Sequence, residues 1–157
     1  MHPVSFVGAG PGAEDLLTLR AARHLRDADV LMWTDSLISP AIPALAPDHC
    51  ERIRTSNLTL EQVIPILISR QRDGKRVVRL HDGDTSLYSA INEQICALSD
   101  AGIAVDVVPG ISAYQAAAAG LSCELTIPGV VQTIVLGRAG GRTGVPDRES
   151  LNHLAAL

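Results

Sequence analysis

Pro3-Val4-Ser5-Phe6-Val7, running into Gly8-Ala9-Gly10-Pro11-Gly12, is the stretch on which the fold of this chain turns. A short extended run stops at a glycine-rich turn. Beyond the turn, Leu17, Ala21, Leu25 and Ala28 recur at steps of four, four and three. That spacing places them on one face of a helix. Ala28-Asp29-Val30-Leu31-Met32-Trp33 then reads as a second strand, closing at Thr34-Asp35-Ser36. Strand, glycine turn, helix and strand make a βαβ unit, whose two strands run parallel. The fold class expected is therefore α/β, a mostly parallel open sheet with flanking helices.

Further along, the same grammar repeats. Residues 38–58 are dotted with Pro40, Pro43 and Pro47 and read as irregular. Thr59 and Gln62 have capping-box spacing ahead of Val63, Ile66 and Leu67, which predicts a helix, with Pro65 implying a kink or a later start. Arg76-Val77-Val78-Arg79-Leu80 is the next strand, with Asp82-Gly83-Asp84 as its turn. Leu87, Ile91, Ile95 and Leu98 form another apolar stripe that ends near Gly102. Val105-Asp106-Val107-Val108 is a strand, followed by Pro109-Gly110 and a helical stretch from Ser112 to Ala119. Beyond Gly120 the pattern changes. Leu125-Thr126-Ile127 and Thr133-Ile134-Val135-Leu136 read as strands around a Pro128-Gly129 turn, and Ser150 opens one more helix. We therefore expect one domain over 1–120 and the beginning of a second α/β domain over 121–157.

Composition narrows the function. The 157 residues are 46% hydrophobic but only 3% aromatic, so aliphatic side chains fill the core. A formal net charge of -4 offers no basic footprint for nucleic acid. Cys50, Cys96 and Cys123 lack metal-ligand or disulfide spacing, so no metal is expected, and Cys96 and Cys123 read as small buried residues. With no signal-peptide pattern and no apolar run of membrane length, the expected location is the cytoplasm, without a membrane partner.

Three glycine turns, at Gly8–Gly12, Asp82–Asp84 and Pro109–Ser112, each follow the carboxyl end of a strand. In an open α/β sheet that edge collects helix N-termini and free loop amides, and small ligands bind there. Gly8-x-Gly10-x-x-Ala13 also fits the relaxed dinucleotide fingerprint, with Asp35 at the end of the second strand as the ribose carboxylate. The residues alone thus leave an NAD(P)-binding domain open. Asp82 and Asp84, directly before a helix, read either as helix caps or as a polar cradle for an amine, a ribose hydroxyl or a sulfonium. His81 reads as a strand-end residue pointing into packing or solvent.

Taken in order, Gly8-Ala9-Gly10-Pro11-Gly12, Ala28-Asp29-Val30, Gly83-Asp84 with Tyr88, and Val108-Pro109-Gly110-Ile111-Ser112 resemble the motifs of the tetrapyrrole methylase family. Asp35-Ser36-Leu37, Tyr88-Ser89-Ala90-Ile91, Leu125-Thr126-Ile127-Pro128 with Gln132-Thr133, and Arg138-x-x-x-Arg142-Thr143 are similar to the subgroup that methylates precorrin-4 or cobalt-precorrin-4 at C11. The similarity covers nearly the whole chain.

This resemblance implies a methyltransferase of cobalamin biosynthesis that uses S-adenosyl-L-methionine, leaves S-adenosyl-L-homocysteine and takes a tetrapyrrole substrate. By motif it implies cofactor contacts at Pro11, Asp82, Gly83, Asp84, Leu87, Ser112 and Ala113. The family often has Pro where this chain has Thr85, which implies a less rigid loop. Arg138 and Arg142 are the residues expected to meet substrate carboxylates, with Arg54 and Arg79 behind them. No catalytic residue is assigned, because the sulfonium carries its own leaving group. The family also implies a homodimer and a complete second α/β domain, of which this chain has only the beginning. Besides the NAD(P) reading, an inactive binding fragment of the methyltransferase is the remaining alternative.

Overall fold

The computed structural model describes residues 2–141 and 144–155. Five strands, β1 (Val4–Gly8), β2 (Val30–Trp33), β3 (Glu51–Arg54), β4 (Val77–His81) and β5 (Val105–Val108), form one sheet. Their order is β3-β2-β4-β1-β5, and every pairing is parallel. The helices are α1 (Leu19–Arg26), α2 (Leu60–Arg72), α3 (Ile91–Asp100), α4 (Ala113–Gly120) and the short α5 (Leu151–Leu154). The parallel α/β expectation holds.

Side chains alternate across the sheet and build two cores. On one face Val7, Leu31, Leu80 and Val108 pack with Ala21 and Leu25 of α1 and with Ile38 and Ile42. On the other, Val4, Phe6, Val30, Met32 and Val77 pack with Val63 and Leu67 of α2 and with Leu98 of α3. All residues of β1, β2 and β4 are buried, as a parallel strand covered on both faces requires.

Four local readings are corrected. The irregular segment 38–58 contains β3, whose Glu-Arg-Ile-Arg sequence hides a strand behind three charges. Such charges suit an edge strand, because they discourage further pairing. Helix α2 starts at Leu60, directly after the Thr59 cap, so the later start that Pro65 offered is the part overturned, and the helix runs through Pro65. The Thr59 amide donates to Gln62 Oε1 at 2.9 Å, which secures the start. Pro65 removes the bond to the Glu61 carbonyl, but both residues are exposed, so water can serve that oxygen. Cys96 and Cys123 are exposed, and the buried cysteine is Cys50, whose thiol burial pushes up in pKa. Finally, residues 125–127 and 133–136 form no strand among the described residues.

The chain divides inside α4 into two compact units, Met1–Ala117 and Ala118–Leu157. In the second, Ile127 and Val131 make a single antiparallel bridge, with reciprocal bonds of 2.8 and 2.9 Å around Pro128-Gly129. A strand exists through its partner's hydrogen bonds, and these segments have no ladder partner among the described residues. Leu125, Ile127, Ile134, Val135 and Leu136 are exposed. No helix among the described residues is long and apolar enough to cross a membrane.

Candidate functional site

Strands β4, β1 and β5 are neighbours, so the turns that follow them emerge side by side at the carboxyl edge of the sheet. The turns are joined by backbone. The Gly10 amide donates to the Gly83 carbonyl at 3.1 Å, and the Gly83 amide returns a bond to the Gly10 carbonyl at 2.9 Å. The Ala9 amide donates to the His81 carbonyl at 2.7 Å. Gly8 and Gly110 are required by space: a Cβ on Gly8 would sit 2.6 Å from the Gly110 nitrogen, and one on Gly110 would overlap the Gly83 carbonyl oxygen. Gly83 is required by conformation instead, because its φ is +56° while a Cβ there would make only ordinary contacts.

Asp84 ties the second turn to the third. Its Oδ2 accepts from the Gly110 amide at 2.8 Å, and its Oδ1 accepts from the Ser86 amide at 2.9 Å and from the Ser86 hydroxyl. Burial works to raise the Asp84 pKa. Bonds from the Ser86 side chain and the Gly110, Ser86 and Thr85 amides outweigh it and hold the carboxyl below its usual range. Asp84 is thus an ionised anchor within the loop. The neighbouring Asp82 is exposed. Thr85 is 3% exposed, so the position where the family often has Pro is packed, and Asp84 supplies the restraint.

Beyond Asp84 the chain passes through Leu87, half-buried, to Tyr88 and Ala90, which hold left-handed φ values of 57° and 48° without being glycine. Ser89 Oγ donates to the Leu87 carbonyl at 3.1 Å. At the third turn, Ser112 is buried, and its amide donates to Gln115 Oε1 at 2.9 Å; Ala113 is the exposed first residue of α4.

The floor is polar. His81 is buried, its ring stacked on Phe6 with centroids 5.9 Å apart. Burial, then the Arg79 charge, depresses its pKa to about 3, so it is neutral. The expectation that Arg79 faces substrate is corrected: it is 8% exposed, turned into the face under α2 and α3. Arg54 is exposed and lies 3.8 Å from Asp35, which also bonds Ser56. Asp35, the ribose carboxylate of the dinucleotide reading, is thus engaged by its own neighbours.

Of the residues expected at the cofactor site, Pro11, Asp82, Gly83, Asp84 and Ser112 lie in the three joined turns. Leu87 continues the second turn and Ala113 the third. In the second unit, Arg138 Nη2 donates to the Gly144 carbonyl at 3.1 Å. Arg142 lies outside the described residues. Sequence reasoning missed Gln94, an amide on α3 that contacts both the floor and the loop; its only signal was a polar residue at a helix position three beyond Ile91. The joined turns offer an exposed carboxylate, a buried hydroxyl and crowded backbone, a donor set suited to a small ligand with hydroxyl and cationic groups rather than to covalent catalysis.

Residues 3–157 match the family described as tetrapyrrole (corrin/porphyrin) methylases. The cobalt-precorrin-4 C(11)-methyltransferase of Priestia megaterium is 43% identical over 150 residues, which cover 96% of this chain and 58% of that protein. The X-ray structure of a cobalamin biosynthetic enzyme, cobalt precorrin-4 methyltransferase, superposes with a TM-score of 0.92 at 42% identity, over 97% of this chain and 64% of that one. The uroporphyrin-III C-methyltransferase of Thermus thermophilus, solved with S-adenosyl homocysteine, has a TM-score of 0.71 at 33% identity, over 82% of this chain and 55% of that one. The chain thus spans about three fifths of the length of the first relative. With a matching family over its described sheet and turns, and 43% identity to a named member, this chain belongs to the tetrapyrrole methylases.

Proposed function

We propose that this chain forms the cofactor-side part of an S-adenosylmethionine-dependent methyltransferase that methylates precorrin-4, or its cobalt form, at C11 in cobalamin biosynthesis. The observation that carries the reading is the reciprocal Gly10–Gly83 bonding together with the Gly110–Asp84 bond, which brings three motif turns to one spot. Identity of 43% over 96% of the chain to a cobalt-precorrin-4 C(11)-methyltransferase supports that substrate within the family.

S-adenosylmethionine, when bound, supplies an electrophilic methyl group on sulfur. The close backbone approach at Gly8 and Gly110, which admits no Cβ, keeps the three turns at one spot and so supports a shared site for it. Pro11, Gly83, Leu87, Ser112 and Ala113 are the residues proposed to line it. Asp82, exposed, would meet hydroxyl or cationic groups, and Asp84 would keep the turn in shape. The chain's own residues bind, orient and desolvate, and orientation alone is worth up to roughly 7–11 kcal/mol of a bimolecular barrier. Arg138 and Arg142 are proposed to meet ring carboxylates. The same reading takes 1–120 as the family's first domain and 121–157 as the beginning of its second, in a cytoplasmic homodimer.

Calorimetric titration with S-adenosylhomocysteine, with NAD and NADP in parallel, tests the cofactor assignment. Heat with S-adenosylhomocysteine alone is the expected result. Binding of NAD or NADP alone would overturn the cofactor assignment in favour of the dinucleotide alternative.

A further inference from the structure

Arg79 lies on β4 in register with Phe6 of β1 and Met32 of β2, under α2 and α3. It is 8% exposed, and no carboxylate among the described residues lies within ion-pair distance of it. A buried cation without a counter-charge costs stability that an apolar residue of similar volume would not. What it makes instead are two neutral bonds. Nη1 donates to Thr55 Oγ1 at 3.0 Å, and Nε donates to Gln94 Oε1 at 3.4 Å. Thr55 Oγ1 shares a further bond of 3.1 Å with Thr34 Oγ1. The chain of contacts therefore runs beneath the carboxyl edge from the end of β2, past β3 and β4, to α3.

Its far end is the informative one. Gln94 is 3% exposed, and its Nε2 donates to the Ala90 carbonyl at 3.1 Å. Ala90 and Tyr88 are the left-handed non-glycine residues that close the Asp84–Ala90 loop, and a conformation of that kind persists only where surroundings enforce it. Arg79 fixes which way the Gln94 amide faces: the oxygen must point to the guanidinium, so the nitrogen must point to Ala90.

We propose that Arg79 and Gln94 are positioning residues that hold the Asp84–Ala90 loop in the shape its ligand requires, the guanidinium orienting the amide and the amide holding the loop. The proposal rests on the cofactor reading only for the identity of that ligand. A carboxylate at 94 would pair with Arg79 better than the amide does, but could not donate to Ala90. Gln94→Glu therefore separates fold from positioning.

The test measures three quantities on the full chain and its Gln94→Glu variant: thermal midpoint, S-adenosylhomocysteine affinity, and amide hydrogen exchange at Leu87–Ile91. The expected result is an unchanged or raised midpoint, affinity weakened about tenfold, the scale of one lost hydrogen bond, and faster exchange confined to that loop. Arg79→Lys, which keeps the charge but cannot orient the amide in the same way, is expected to show an intermediate loss. An intact midpoint with unchanged exchange and affinity would overturn the proposal. If the unsubstituted chain binds no S-adenosylhomocysteine, exchange alone decides: faster exchange in the variant keeps the positioning role while showing that this span does not hold the cofactor by itself, and unchanged exchange removes the positioning role. Should Gln94→Glu fail to fold, Gln94→Met takes its place, with the same expectations for exchange and affinity and a lowered midpoint, because Arg79 loses one of its two acceptors.

Discussion

Gly110 and Gly140 illustrate how differently the two units of this chain use their sequence. At Gly110 a single added carbon would overlap the Gly83 carbonyl oxygen, whereas at Gly140 the same carbon would meet nothing. Around the first, two strand ends exchange backbone hydrogen bonds and the Asp84 carboxylate, which accepts three donors, ties in the third. Around the second, apolar residues such as Ile134 and Val135 are exposed. The lesson is that a glycine motif is informative where crowding, as at Gly110, or a left-handed φ, as at Gly83, makes the glycine necessary. Packing, not composition, separates the two cases.

The sharpest way to break that contrast is to fill both positions. Gly110→Ala forces backbone apart at the junction of all three turns, and overpacking of this kind costs up to about 3 kcal/mol or more. Denaturant unfolding should show that loss, and S-adenosylhomocysteine binding should disappear with it. Gly140→Ala should stay within about 0.5 kcal/mol, as surface changes usually do. Comparable losses at the two sites would mean that the crowding at Gly110 is relieved cheaply and the contrast is false.

A middle-sized effect comes from the floor of the same site. The folded pKa of His81 is depressed to about 3 from 6.5, so the unfolded chain takes up the proton first as pH falls. Stability from this group is therefore complete above 6.5 and is lost progressively between 6.5 and about 3. Between pH 7 and pH 5 the loss amounts to about 2 kcal/mol, at up to about 1.4 kcal/mol per unit. Urea unfolding at the two pH values measures it. His81→Phe, which keeps a ring against Phe6 but cannot be protonated, should remove that part of the acid sensitivity. An identical pH slope in the variant would show that His81 does not titrate as a buried group.

How much of this was legible beforehand follows the same division. The βαβ pattern, the order of turns and the three-loop edge could be read because β1, β2, β4 and β5 each carry an apolar run, and β1, β4 and β5 each end in a glycine turn. β3 could not, since an edge strand needs only Ile53 on the inside and is otherwise charged. Arg79 misled because a cation on a strand reads as a surface or ligand group, and only the three-dimensional placement of Thr55 and Gln94 explains its burial. The segments 125–127 and 133–136 misled in the opposite direction: their β-branched residues have strand propensity, but propensity is realised only against a neighbour.

The smallest effect probes that last point directly. If residues 133–136 are extended without a ladder, Ile134, 48% exposed, contributes little burial, and Ile134→Ser should change the unfolding free energy by less than about 0.5 kcal/mol. The substitution removes a large apolar side chain, so in a packed strand it would cost several times that amount. A measured loss above about 1 kcal/mol would therefore mean that this segment is buried in solution against something, whether elsewhere in the chain or in a second copy. Repeating the measurement over a hundredfold range of protein concentration separates those two cases, because only burial in a second copy makes the loss depend on concentration.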